Sequence, residues 1–513
     1  MILADYGFRW QVQSWLVPAF AGSIDKQSME LSGMTQNDHA NSIKAIFTTI
    51  LFLFVIRALF MMAGMVVTGE YYSIFAPFND VFADSIKSGL AQLSVSAPLL
   101  DDARPHSWPA LFQNYLYHND YLKPGMSVYH SPPLSMLALM GVAALLLVFS
   151  PMVVIALLIA LYSAGTLAVS KAIETLGKLQ GTRIFPLILL AFPSLFMLDR
   201  GNIHSGMTSL AIIFYVTSAF FRRWKWGGWL ALALAVNLRP NVAIFAFMEL
   251  YRTENRWEAF KGMVAAGLLS IAIAVVSLWL AHRIDPAYSL DAFTKAYGLY
   301  TRNYVEGFDG VQWNASLFNV GKIWQMALDH ADYYSPAWSM TATVLGAASL
   351  AICILLASLR RMSGTRFAFA MAANCTLFTP VLGEYHVLIF IAPLLLLILN
   401  ARRELTPAFL WCGAAWIVVL QTACMVQWLL PNMATLILAG LCALALPFLA
   451  RRTLRCADQV EGLDMVLMIA SIAMLSPIGG EMTHGSVNAL ILCSAMGLLI
   501  WTAARRGVLI TNH

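Results

Sequence analysis

Long apolar runs separated by short polar breaks repeat along the chain. The first covers about residues 44–67, from Lys44 through IFTTILFLFVIRALFMMAGMVV. It carries Arg57 in its interior, where a charge is costly unless it snorkels or pairs. The next runs are 134–171, with Ser150-Pro151 in the middle, then 184–198 and 203–221 on either side of LDRGNIH. Residues 226–250 follow, interrupted by Asn237-Leu-Arg-Pro-Asn241, and then 261–282. Later runs lie near 337–359, 367–381, 386–400, 407–427, 432–450, 462–477 and 486–503. A helix needs about 20 mostly apolar residues to span a bilayer, so this pattern predicts an all-α polytopic membrane protein with about 12–14 crossings.

Two polar stretches stand out, about 68–133 and 283–336. The first opens YYSIFAPFNDVFADSIKSG, carries Asp80, Asp84, Asp101, Asp102 and Asp120, and closes NYLYHNDYLKPGMSVYHSPPL. It is rich in aromatic residues and holds His106, His118 and His130. That composition suits a cap lying on a membrane, anchored by aromatic rings at headgroup level. Acids at that height are placed to act on a lipid-linked substrate.

Positive charge orients the set. Arg222, Arg223 and Lys225 form one cluster, and Arg252, Arg256 and Lys261 another. Arg360, Arg361 and Arg366, then Arg402 and Arg403, then Arg451, Arg452 and Arg455, then Arg505 and Arg506 follow. From 251 onward these fall in every second loop, which places those loops in the cytoplasm. The cap, the 283–336 loop, Gly383-Glu-Tyr-His386 and Gly480-Glu-Met-Thr-His484 then share the outer side. With that orientation 134–171 must cross an odd number of times, although it reads as two short helices around Ser150-Pro151. Either one of them is re-entrant, or 226–250 crosses once and the loops before it are inverted. No internal repeat of the transporter kind is visible.

Composition narrows the class. The chain has 513 residues, 59% hydrophobic and 12% charged, against about 25% charged for a soluble domain. The net charge of +5 is small, and the basic residues sit in short loops, so no nucleic-acid partner is expected. Of seven cysteines, six lie in apolar runs and Cys456 in a basic loop, with no CxxC or Cys/His metal spacing. Residues 1–43 read as an N-terminal cytoplasmic or interfacial segment without a cleavable signal, Tyr6–Phe20 being at most an interfacial helix. Residues 44–400 hold the motifs described next, and 401–513 read as C-terminal transmembrane helices packing the core.

Six short motifs follow one another between about 78 and 390. They are Phe78-Asn-Asp80, Tyr129-His-Ser-Pro-Pro-Leu134, Gly201-Asn-Ile-His204, Arg239-Pro240, Asn314-Ala-Ser-Leu317 and Pro380 to His386, TPVLGEYH with its threonine. In order and placement they resemble the GT-C superfamily of membrane glycosyltransferases, most of all glycosyltransferase family 87. The match is not complete. The turn at 201–204 has Asn for Gln and His for Asn, Arg239 stands for Lys, and Asp80-Val-Phe-Ala-Asp84 has an acid where the family has Tyr.

The resemblance implies a GT-C-like fold with two extracytoplasmic cap loops and an inverting transfer of mannose or a similar hexose or pentose. The donor would be a polyprenyl-phosphate sugar, and the acceptor a glycolipid or glycan. The setting would be a bacterial inner membrane, with the active site on the outer face. No cofactor is expected, since the lipid-linked sugar is a substrate. Neither is a divalent metal, since phosphate is already a good leaving group; Asp80 and Asp84 with His118 or His130 are the groups to hold one otherwise.

What the transfer lacks is a base for the acceptor hydroxyl. Asp80, at the outer end of the first helix, is the candidate, against a helix cap as the plainer reading. Asp84 lies one turn further on the same face, to share the role or hold an acceptor hydroxyl. His386 is the third candidate, to donate to the donor phosphate or polarise the acceptor, against an idle interfacial histidine. Arg239, and Arg200 at the outer turn, offer guanidinium forks to a phosphate, against snorkelling. Tyr129 and His130 at the cap exit, Asn202, His204 and Asn314 complete the substrate-binding candidates. Two other functions fit the same architecture: a lipid-linked oligosaccharide ligase, and a lipid or glycan flippase. The acids concentrate in the outer loops and not at mid-membrane, which favours an enzyme over a transporter.

Overall fold

The computed structural model describes residues 131–177, 184–191, 193–194, 197–198, 201–301, 314–322, 336–380, 384–400, 462–475 and 484–505. Asp80, Asp84, Tyr129, His130 and Arg200 lie outside them, as do residues 1–43 and the runs 407–427 and 432–450. Among the described residues the regular structure is helical and no β-strand occurs. Among the described residues, five helices are long and apolar enough to cross a membrane: Val153–Gly177, Ile203–Phe220, Arg256–Ile284, Pro336–Ser358 and Asn488–Arg505.

The Ser150-Pro151 break falls where the sequence places it. Helix α1, Pro133–Val148, has 16 residues and ends at extended Phe149; α2, Pro151–Gly177, has 27. Proline resists a helical residue before it but suits the first turn of a new helix. At 1.5 Å per residue α1 is about 24 Å long, short of a bilayer core of about 30 Å, whereas α2 exceeds it. The short helix α3, Ile184–Leu190, follows, and Ser194 beyond it hydrogen-bonds the Tyr162 hydroxyl of α2 at 2.9 Å. Gly201, at φ 67°, makes the tight turn into α4, Ile203–Phe220. Most residues would be strained at that angle.

Helix α5, Lys225–Leu238, stops at Arg239, whose extended backbone (φ −149°, ψ 102°) precedes Pro240. The chain continues as a nine-residue 3-10 arm, Pro240–Met248, and one helical turn, Glu249–Arg252. Its direction is fixed by contacts with α4. Arg239 meets Ser205 near the start of α4, while Glu249 meets Tyr215 and Arg252 meets Ser218 near its end. Residues 225–252 therefore form a re-entrant hairpin that runs along α4 and returns to the end where it began. The clusters Arg222, Arg223, Lys225 and Arg252, Arg256, Lys261 consequently share one end of the bundle, called here the basic end. A single crossing by 226–250, one of the two ways to balance the crossings, does not occur.

Helix α6, Arg256–Ile284, is capped by Asn255, whose side-chain oxygen accepts from Trp257 N–H at 2.9 Å. Most of α6 faces outward, and Trp257 and Trp279 near its two ends are exposed. The 22 steps from Trp257 to Trp279 span about 33 Å, close to the thickness of a bilayer core. Tryptophan at both ends is the mark of a helix crossing two membrane–water boundaries. Asn237, just before the hairpin tip, donates to the Ser270 carbonyl midway along α6 (2.9 Å).

Helices α7, Leu290–Thr301, and α8, Pro336–Ser358, lead to α9, Gly364–Leu377. Every residue of α9 from Thr365 to Leu377 is buried, which makes it the centre of the described bundle. A second 3-10 stretch, Glu384–Phe390, runs into α10, Ile391–Asn400, and α11, Gly462–Met474, and α12, His484–Arg505, complete the set. Arg366 of α9 and Asp464 of α11 form an ion pair at 2.6 Å.

The basic end is held by a buried cluster. Glu249 and Arg252 pair at 2.8 Å with 1% and 5% of their side chains exposed. Tyr215 donates to the carboxylate (3.1 Å), and Arg252 donates to the Ser218 and Arg223 carbonyls. Gly228 and Gly262 let α5 and α6 approach: a Cβ on Gly228 would lie 2.7 Å from Ser218 Oγ and 2.8 Å from Arg252 Nη2, and one on Gly262 2.6 Å from Glu249 Oε2. Gly228→Ala is therefore expected to destabilise by about 1–3 kcal/mol, as overpacking does. Gly267→Ala, with open space around its Cβ, should be neutral or mildly stabilising. Melting curves of the two purified variants in one detergent check this; equal shifts would sink it.

Candidate functional site

At the far end of the hairpin from the basic end, polar side chains gather inside an otherwise apolar bundle. Proline at 240 breaks the helix and leaves Arg239 at the tip, half-buried against α4. Its Nη2 donates to Ser205 Oγ at 3.0 Å, and the Ser205 hydroxyl donates to Asn202 Oδ1. Asn202 and Ser205 are both buried, Ser205 completely. The Gly201 turn sets Asn202 at the head of α4, so that Ser205, one turn on, lies beneath it.

His386 sits at the start of the second 3-10 stretch, 4% exposed. The 3-10 stretch that carries it packs against α4, and Arg239 and His204 lie within Coulomb reach of it. Four of the sequence candidates, Asn202, His204, Arg239 and His386, are thus brought together from three separate segments.

A second layer supports the tip. Asn241 donates from Nδ2 to Thr379 Oγ1 at 3.2 Å and to Cys375 Sγ at 3.5 Å, fastening the hairpin to the end of α9. The next residue, Pro380, offers its carbonyl to Asn314 Nδ2 (3.2 Å) and Ser316 Oγ (3.3 Å). Asn314 also accepts from Ser316 N–H and has its own carbonyl bonded by Asn319, a self-contained turn. These bonds fasten the Asn314 turn to Pro380, just beyond the end of α9.

Ser205, Asn241 and Thr379 escaped the sequence reading. Serine and threonine within apolar helices normally bond the carbonyl four residues back, as Thr379 does to Cys375 (2.6 Å). Nothing local marks Ser205 as different. Asn241 carried a signal, lying two residues after Arg239 in the break.

Chemically, the cluster offers a cation, two buried hydrogen-bonding groups and two imidazoles at a helix break within a low-dielectric bundle. That set suits an anionic, oxygen-rich group such as a phosphate. No protein-family model matches this chain, and no well-characterised protein gives a significant match to it.

Proposed function

We propose that this protein is a membrane glycosyltransferase of GT-C-like fold. It moves a sugar from a polyprenyl-phosphate donor to a glycolipid or glycan acceptor at the outer face of the membrane. The observation that carries the reading is the convergence of Arg239, Asn202, His204 and His386 at the tip of the re-entrant hairpin. Three of the motifs that resemble glycosyltransferase family 87 supply these residues from distant parts of the chain.

In the transfer, Asp80 takes the proton of the acceptor hydroxyl, and the oxygen attacks the anomeric carbon. The bond from that carbon to the phosphate oxygen breaks, and polyprenyl phosphate leaves with its pair of electrons and one more negative charge. Arg239 meets that charge, with Ser205 and Asn202 fixing the guanidinium in place. His386 donates to the leaving phosphate or polarises the acceptor. One displacement inverts the anomeric centre and needs no covalent intermediate, as in the single-step logic of inverting hydrolases.

The test is transfer of label from polyprenyl-phosphate sugars, mannose first and then a panel of hexoses and pentoses, into lipid or glycan by membranes containing the protein. No transfer from any donor, with movement of lipid between leaflets instead, would establish the flippase reading. Transfer only of a whole oligosaccharide would establish the ligase reading. Arg239→Ala is expected to raise the donor KM and lower kcat/KM by about 10²-fold, the cost of one hydrogen-bonded ion pair of roughly 3 kcal/mol. Arg239→Lys, which keeps the charge but loses the fork, should fall between.

A further inference from the structure

The turn between α4 and α5, FRRWKWGGW, is the most exposed polar and aromatic segment of the basic end: residues 222–227 are all exposed. Two of its residues, Arg222 (φ 55°) and Trp224 (φ 51°), are non-glycine residues in left-handed backbone, within three positions. Such angles persist where the surroundings hold them, and they cluster at functional sites. Here the surroundings are Ser218, whose hydroxyl donates to the Arg223 carbonyl at 2.7 Å, and buried Arg252, which donates to the same carbonyl at 3.2 Å. The turn is rigid from below and presents its side chains outward.

Most neighbouring cations are engaged. Arg222 pairs with Glu254 at 3.3 Å, Lys261 with Glu258 at 2.8 Å and Arg252 with Glu249. Arg360 donates to the Leu250 and Glu254 carbonyls, and Arg256 to the Ser358 carbonyl. Arg223 and Lys225 have no acidic partner within ion-pair distance among the described residues. Lys225 lies 4.6 Å over the Trp229 ring and within Coulomb reach of Glu258 at the start of α6. Trp224 and Trp226 flank Lys225 in the turn, and Trp257 stands at the start of α6 beside Glu258; the three are 49%, 76% and 60% exposed.

We infer that the α4–α5 turn is a binding site for an anionic phospholipid of the surrounding bilayer, of the phosphatidylglycerol type. The phosphodiester sits between Arg223 and Lys225, with the tryptophans at the glycerol level beside it. Tryptophan prefers that depth, and unpaired cations there attract anionic headgroups. Each such cation is worth about fivefold in affinity, so the two together favour an anionic over a zwitterionic headgroup by about 25-fold.

Native mass spectrometry of the full chain in a mild detergent, offered equal phosphatidylglycerol and phosphatidylcholine, tests this. The wild type should retain phosphatidylglycerol about 25-fold over phosphatidylcholine, and the preference should shrink as salt rises. The Arg223→Gln/Lys225→Gln protein should lose the preference while melting normally in lipid-free detergent. Lys261→Gln, which removes a cation already paired, should keep it. If the double variant does not fold, Lys225→Gln alone should lower the preference about fivefold. Equal retention of both lipids by the wild type, or full preference in the variants, overturns the assignment. Displacement by millimolar inorganic phosphate as readily as by lipid would make this a general anion site and overturn it too.

Discussion

Asp80→Asn should leave the protein folded and donor-binding intact but slow sugar transfer by about 10²–10⁴-fold, the range that a positioned general base supplies. Asparagine has nearly the same shape and cannot take a proton at the working pH. The loss should therefore appear in kcat with KM for the donor little changed, the opposite split from Arg239→Ala. That contrast separates a proton-transfer role from a phosphate-holding one. The measurement is steady-state transfer from a labelled polyprenyl-phosphate sugar, with equal amounts of folded protein confirmed by gel filtration. Transfer surviving in the variant would move the base to Asp84 or His386 and leave Asp80 as a helix cap.

Arg252→Met should be among the most destabilising single changes in the described bundle. Removing the guanidinium leaves Glu249 as a carboxylate 1% exposed, with only the Tyr215 hydroxyl bonded to it. Breaking one side of a buried ion pair costs about 3–5 kcal/mol, because the remaining charge has lost its partner. The variant also strips a donor from the Ser218 and Arg223 carbonyls. A fall of several degrees in apparent melting temperature is expected, and the Glu249→Gln/Arg252→Met protein should regain much of it, since neither charge is then stranded. A single variant melting like the wild type would show that the pair contributes nothing.

The apolar periodicity and the prolines made much of the fold legible. The break at Ser150-Pro151 and the one at Arg239-Pro240 both stand where proline forbids a continuous helix. The described spans also fall close to the apolar runs that mark them. The pattern of residues left open whether 226–250 crosses once or returns. That depends on Arg252 reaching back to Ser218 and Arg223, a contact between positions 34 and 29 residues apart. Two basic clusters on one end were the only local hint.

The candidate site divides the same way. Asn202, His204, Arg239 and His386 each break an apolar run with a polar group, so each was visible as an exception. Ser205 and Thr379 look like any hydroxyl in a membrane helix until the fold sets Arg239 and Asn241 against them. Asn314 was visible, but its bond to the Pro380 carbonyl, 66 residues away, was not. The acids of the cap, Asp80 and Asp84, lie outside the described residues, and their approach to the cluster rests on the proposed reaction.

The two tryptophans of α6 also set a ruler. They stand about 33 Å apart along α6, and Asn237 ties the hairpin tip to Ser270, midway between them. In a thinner bilayer a helix of fixed apolar length tilts, at a cost of fractions of a kcal/mol per ångström of mismatch. Tilting α6 turns the tip with it, and Arg239 lies two residues beyond the tie. Shortening the acyl chains of the host membrane should therefore shift the aim of a single guanidinium.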